Sequence, residues 1–233
     1  MPARQRPIVV LAGILLLAAA SLSMAQPTSD TPQSLTLPGG PLTLYVHQET
    51  GELVGMTANA RYHLTIASVT DTWQRRPITT IAELAASAAI IPYEEIAGIL
   101  EDLDPLTVGE GPIPVIAFVS PTCPACRVLF DDLAVLTDRF RFQLLLLAVN
   151  DAVGRLVRKL ACAVDPDAAV QALFSHDYGA LRRGPCDPSG AANRAVAAQI
   201  FGVRGTPFLV RHDGAVLQGL PEDLATWLAE ARP

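Results

Sequence analysis

The stretch Val115-Ile116-Ala117-Phe118-Val119-Ser120-Pro121-Thr122-Cys123-Pro124-Ala125-Cys126 decides how this chain is read. Five consecutive apolar residues closed by Ser-Pro have the length and punctuation of a buried strand, and Cys126 to Leu136 continues at helical spacing. Two thiols separated by two residues at a helix start can form one strained, reversible disulfide. The unpaired backbone N–H groups there stabilise a thiolate. Cys123 is expected to be the attacking group, because helix terminus and solvent access coincide at it. Cys126, one turn further in, is the expected resolving thiol, and exchange would pass through a mixed disulfide on Cys123. The plainer alternative is a static disulfide stapling a helix start.

Downstream, Phe142 to Val149 reads as a strand and Ala152 to Ala163 as a helix. Asp187-Pro188 caps a further helix running to Ile200. Phe208 to Arg211, the turn His212-Asp213-Gly214 and Ala215 to Gln218 form a hairpin, followed by a last helix over Glu222 to Ala231. Strand, helix, strand, helices, strand, strand, helix is a thioredoxin-like α/β order with a helical insertion. Gly205-Thr206-Pro207 falls just before the hairpin strand, where such domains carry a cis proline facing the C-x-x-C. The edge at Thr206 and Pro207 would bind an extended client through main-chain bonds.

Upstream, Arg4 and Arg6, an apolar run from Ile8 to Ala20 and Ser23-Met24-Ala25 predict a cleaved secretory signal over residues 1–25. Residues 26–40 have a loose, Pro/Thr/Ser-rich leader composition. Residues 41–91 are expected to hold a small α+β domain: strands over Leu42 to Val46, Leu53 to Thr57 and Tyr62 to Val69, then a helix opened by the capping box Thr80-Ile81-Ala82-Glu83. A linker helix from Tyr93 to Leu103 and a hinge occupy 92–112, with the thioredoxin-like domain over 113–233. A front domain this small has little core of its own, so pairing with a second copy is expected.

Composition removes several classes. The formal charge is −6, and about −8 without the signal, which disfavours nucleic acid. Lys159 is the only lysine among 17 basic residues, so there is no Walker-type motif. Four cysteines in an exported chain suggest two disulfides. The close pair is the labile candidate. Cys162 and Cys186 would close a loop of about 25 residues, valued at roughly 3 to 4 kcal/mol by chain entropy. Zinc is the rival, but a single C-x-x-C without nearby histidine lacks its usual ligand spacing. His47, His63, His176 and His212 read as surface or turn residues, since exchange needs a thiolate and no base, metal or cofactor.

Residues 113 to 231 resemble the DsbC/DsbG family of periplasmic thiol:disulfide interchange proteins. The resemblance is carried by Thr122-Cys123-Pro124-Ala125-Cys126, Ala161-Cys162-Ala163, Pro185-Cys186-Asp187 and Phe201-Gly202-Val203-Arg204-Gly205-Thr206-Pro207. It implies a structural disulfide between Cys162 and Cys186, a client-facing Thr206-Pro207, and a V-shaped homodimer built on the front domain. It also implies a periplasmic isomerase or reductase of misfolded exported proteins, kept reduced by a membrane electron donor of the DsbD type. Ala125 departs from the tyrosine common at this place in the family, leaving thiolate stabilisation to the helix terminus, with Arg127 as a contributor. Ala117 stands where thioredoxins have a buried aspartate. The alternatives are a holdase of the DsbG type and a monomeric thiol oxidase.

Overall fold

Every residue of the run Val115 to Val119 is buried, because strand β8 (Ile113–Val119) has helices on both faces. The computed structural model describes residues 34–36, 42–57, 63–185 and 189–230. The signal segment, Cys186 and Asp187 lie outside them.

The central sheet has five strands. Besides β8 they are β7 (Leu106–Val108), β9 (Phe140–Leu146), β10 (Phe208–Val210) and β11 (Val216–Gln218), in the order β11-β10-β8-β9-β7. β8 and β9 are parallel, with Ala117 level with Leu144, and the other neighbours are antiparallel. A parallel pair needs a crossover, supplied here by helix α3 (Pro124–Ala134). This is the expected thioredoxin-like order.

Alternation along β8 splits the core. Val115, Ala117 and Val119 pack on α3, α4 (Asp151–Ala161), α5 (Pro166–Ser175) and α7 (Leu224–Ala229), through Cys126, Leu129, Phe130, Leu160, Leu173 and Leu228. Ile116 and Phe118 face α2 (Tyr93–Glu101) and α6 (Ser189–Ile200) through Ile96, Leu100, Ala197 and Ala198. Arg194 of α6 is buried beneath this second layer. Its Nε donates to the Leu146 carbonyl at 3.1 Å and its Nη1 to that of Leu103 at 3.0 Å.

The segment expected as linker and hinge is therefore built into the second layer on the five-stranded sheet. Of its expected apolar face, Ile96, Ile99, Leu100 and Leu103, all but Ile99 are 1 to 2% exposed, while Ile99 faces solvent at 48%. Burying the three against the sheet removes more apolar surface than a free-standing spacer could. Leu106–Val108, within the expected hinge, is one of the sheet's two edge strands.

The front residues form a second sheet, β1-β2-β3-β4, from Ser34–Thr36, Leu42–Val46, Leu53–Thr57 and His63–Thr65, all antiparallel. β1 falls inside the expected leader. It satisfies the edge of β2, with Leu35 opposite Leu44. The predicted third strand divides into β4 and β5 (Val69–Asp71), the latter pairing with β6 (Arg76–Ile78). Helix α1 (Ile81–Ala88) covers Leu44 with Ile81 and Leu84. Thr80 caps α1 by accepting from Glu83 N, and the Glu83 carboxylate accepts in turn from the Thr79 backbone and hydroxyl.

The front residues connect to the hairpin through Ile91 N, which donates to the Gly214 carbonyl at 2.7 Å. Gly214 has φ +84°, and a Cβ there would stand 2.6 Å from the Ile91 carbonyl. Only glycine fits both conditions.

Candidate functional site

Cys123 is the N-cap of α3, and Pro124 fills N1, where a missing N–H costs nothing. The Cys123 sulfur takes the capping position, accepting from Cys126 N at 3.3 Å. Its thiol donates to the Thr206 carbonyl at 3.1 Å, across 83 positions of sequence. The Thr206-Pro207 peptide bond is cis. Thus the structure brings together all four residues expected at the site: Cys123, Cys126, Thr206 and Pro207. Both cysteines are free thiols.

The two thiols differ in environment. Cys123 is partly exposed, whereas Cys126 is 0% exposed. Burial pushes Cys123 up, but hydrogen bonds from the Cys126 thiol, the Thr206 side chain and the backbones of Cys126 and Ala125 outweigh it, and its pKa falls below the ordinary thiol value. Burial, followed by the hydrogen bond with Cys123, pushes Cys126 up to about 12, against bonds from the Ser120 backbone and the Thr206 side chain. One sulfur is poised to react and its neighbour is kept protonated. Arg127 is not among the groups that lower Cys123. Its charge acts on His176 and Tyr178 instead. Ala117 lies on the Cys126 side of the sheet, so an apolar wall replaces a carboxylate there.

Cys162, the C-cap of α4, is disulfide-bonded. Its expected partner Cys186 is outside the described residues. Among the described histidines, His47 sits in a turn beside Thr50, His212 buries an unpartnered Nδ1, and His176 is the left-handed C-cap of α5. None of these bonds to either thiol. No group of three or more His, Cys, Asp or Glu side chains able to hold a metal occurs among the described residues.

No protein-family model matches the chain, and the search of curated proteins gives no match. Solved structures similar to it include a disulfide interchange protein from Neisseria gonorrhoeae, 22% identical over 52% of this chain and 88% of that one, with a TM-score of 0.46. Another is the thiol-disulfide exchange protein alpha-DsbA2 from Wolbachia pipientis, 14% identical over 58% and 90%, TM-score 0.47. The catalytic domain of Proteus mirabilis ScsC is 14% identical over 59% and 94%, TM-score 0.46.

Two neighbours of the site were not singled out from sequence. The half-buried Tyr178, on the loop after α5, donates its hydroxyl to the Pro121 carbonyl at 3.3 Å, two residues before Cys123. That loop is held in turn by Lys159, whose Nζ donates to the carbonyls of Tyr178 and Gly179. Gln218 of β11 reaches the backbone around Thr206. Both act through side-chain-to-backbone bonds spanning 57 and 11 to 14 positions, for which the sequence carries no local signal.

Proposed function

We propose that this chain is a periplasmic thiol-disulfide isomerase or reductase acting on disulfides of exported proteins through Cys123 and Cys126. The observation that carries this reading is the opposite displacement of two thiols within one helical turn, the lowered one lying against Thr206. The Cys123 thiolate attacks one sulfur of a client disulfide. A Cys123–client bond forms, the client S–S bond breaks, and the departing client thiolate takes a proton from water. In isomerisation a second client thiolate attacks the mixed disulfide and returns Cys123 as thiolate, with no net redox change. In reduction Cys126 loses its proton and attacks Cys123, leaving a Cys123–Cys126 disulfide and a client reduced by two electrons. The oxidised form then needs a dithiol donor, for which a DsbD-type membrane protein is suited.

The proposed clients are misfolded exported proteins, with two subunits pairing through the front sheet. The exposure of Val46 on β2 (41%) and of Leu64 on the edge strand β4 (43%) supports such pairing. Insulin reduction and refolding of a scrambled multi-disulfide protein test the reading. Cys123→Ser is expected to abolish both, and a variant that kept full activity would overturn the assignment. A Cys126→Ala trap is expected to accumulate client mixed disulfides in periplasmic extracts.

A further inference from the structure

We propose that Gln218 is the positioning residue for this exchange, holding the Thr206 backbone in place for an incoming client. The inference rests on the reading above, in which Thr206 is the client-facing edge.

Gln218 is the last residue of β11, level with Phe208 of β10. Its side chain crosses back over the loop that leads into β10. The carboxamide Oε1 accepts from Arg204 N at 3.1 Å, and Nε2 donates to the carbonyls of Gly205 at 2.9 Å and Pro207 at 3.2 Å. The next residue adds a fourth tie, Gly219 N to the Pro207 carbonyl at 2.8 Å. Every one of these bonds falls on a residue flanking Thr206. Thr206 itself keeps its N–H without a partner among the described residues, and its carbonyl faces Cys123. A client strand pairs by main-chain bonds, so it needs this one residue's backbone ordered and its N–H open. The clamp orders the loop while making no bond to that N–H.

The chemistry of the loop specifies the side chain. Arg204 offers a donor while Gly205 and Pro207 offer acceptors, so one terminal group must accept and donate on adjacent atoms. An amide does this. A carboxylate of nearly the same size would meet two carbonyl oxygens with no hydrogen to give.

The test uses full-length wild type, Q218A and Q218E with two probes: a disulfide-bonded peptide, and the small aromatic disulfide DTNB, which has no backbone to pair. Both variants are expected to raise the peptide KM about tenfold, with kcat, the DTNB rate and the melting temperature within twofold or a few degrees of wild type. A Q218E protein with wild-type KM overturns the proposal, as does an equal loss toward peptide and DTNB, which would place the effect on the thiol instead. Hydrogen exchange supplies a readout independent of activity. The amides of Arg204 and Gly219 are expected to exchange at least tenfold faster in Q218A, with α3 unchanged, and wild-type protection there overturns the proposal. Should Cys123→Ser retain exchange activity, the functional reading fails while the hydrogen-exchange result still decides the role of Gln218.

Discussion

At pH 7 a thiol with a pKa near 12, such as that of Cys126, is ionised to roughly one part in 100,000. Cys123, displaced downward, carries more thiolate at that pH than an ordinary cysteine. Iodoacetamide is therefore expected to label Cys123 first and to leave Cys126 unmodified in the folded, reduced protein, as peptide mapping would show. The Cys123 rate should fall as pH drops through its folded value and reach half its maximum below the pH found in urea. Stability of the reduced form follows the same signs. The Cys123 contribution is fully present above the unfolded thiol value and is lost as pH falls through the lower, folded one. The Cys126 contribution is present below the unfolded value and is lost as pH rises toward 12. Denaturant midpoints of the reduced protein across this range would check both. The two sulfurs and Thr206-Pro207 were legible in sequence because spacing and strand-to-helix context are local. That Arg127 acts on His176 and Tyr178 and not, as expected, on Cys123 was not legible, since which group an exposed charge faces depends on the loop after α5.

Two buried arginines tie elements together with different consequences. Arg194, 2% exposed, bonds only to carbonyls. Arg194→Met removes a desolvated charge along with those bonds, so the two effects partly offset and the expected loss is about 1 to 3 kcal/mol. Arg211 joins the hairpin to α7: it forks onto Asp213 at 2.8 and 2.7 Å, reaches the Trp227 carbonyl and lies over the Trp227 ring. Asp213→Ala leaves that charge buried with Glu230 at 3.7 Å as the remaining acid, and about 3 kcal/mol is expected. Urea unfolding of the two variants should place Asp213→Ala lower. At this scale the strongly periodic helices and the hairpin were legible, while β1, β6, α5 and β7 were not. Helix α5 buries Ala169, Ala172 and Leu173, but alanine is nearly as common on solvated faces, so its stripe does not stand out. Strand β7 is three residues long and owes its existence to β9, more than thirty positions away, a pairing without local trace.

Across the whole molecule, the described residues belong to one compact unit, although the front sheet keeps a small apolar cluster of its own around Leu44, Ile78, Ile81 and Leu84. Trp73 meets Phe201 edge-on at 6.1 Å in the second layer, and Trp227 packs in the first. Because these are the only two tryptophans, Trp73→Phe and Trp227→Phe give separate fluorescence reporters. Their urea midpoints are expected to coincide, and a gap would show the layers unfolding apart. Gly214→Ala should lower both together by about 2 kcal/mol or more, since its Cβ meets the Ile91 backbone.

Lys159 has a practical consequence for measuring self-association. The chain's single side-chain amine, on α4, is occupied by two carbonyls of the loop after α5, so amine-reactive cross-linkers have one hindered side-chain target. Such reagents would report a monomer whatever the true assembly state. Sedimentation or light scattering, which need no reactive handle, are the measurements able to count subunits, and carboxylate-directed coupling is the fitting chemistry for an acidic chain.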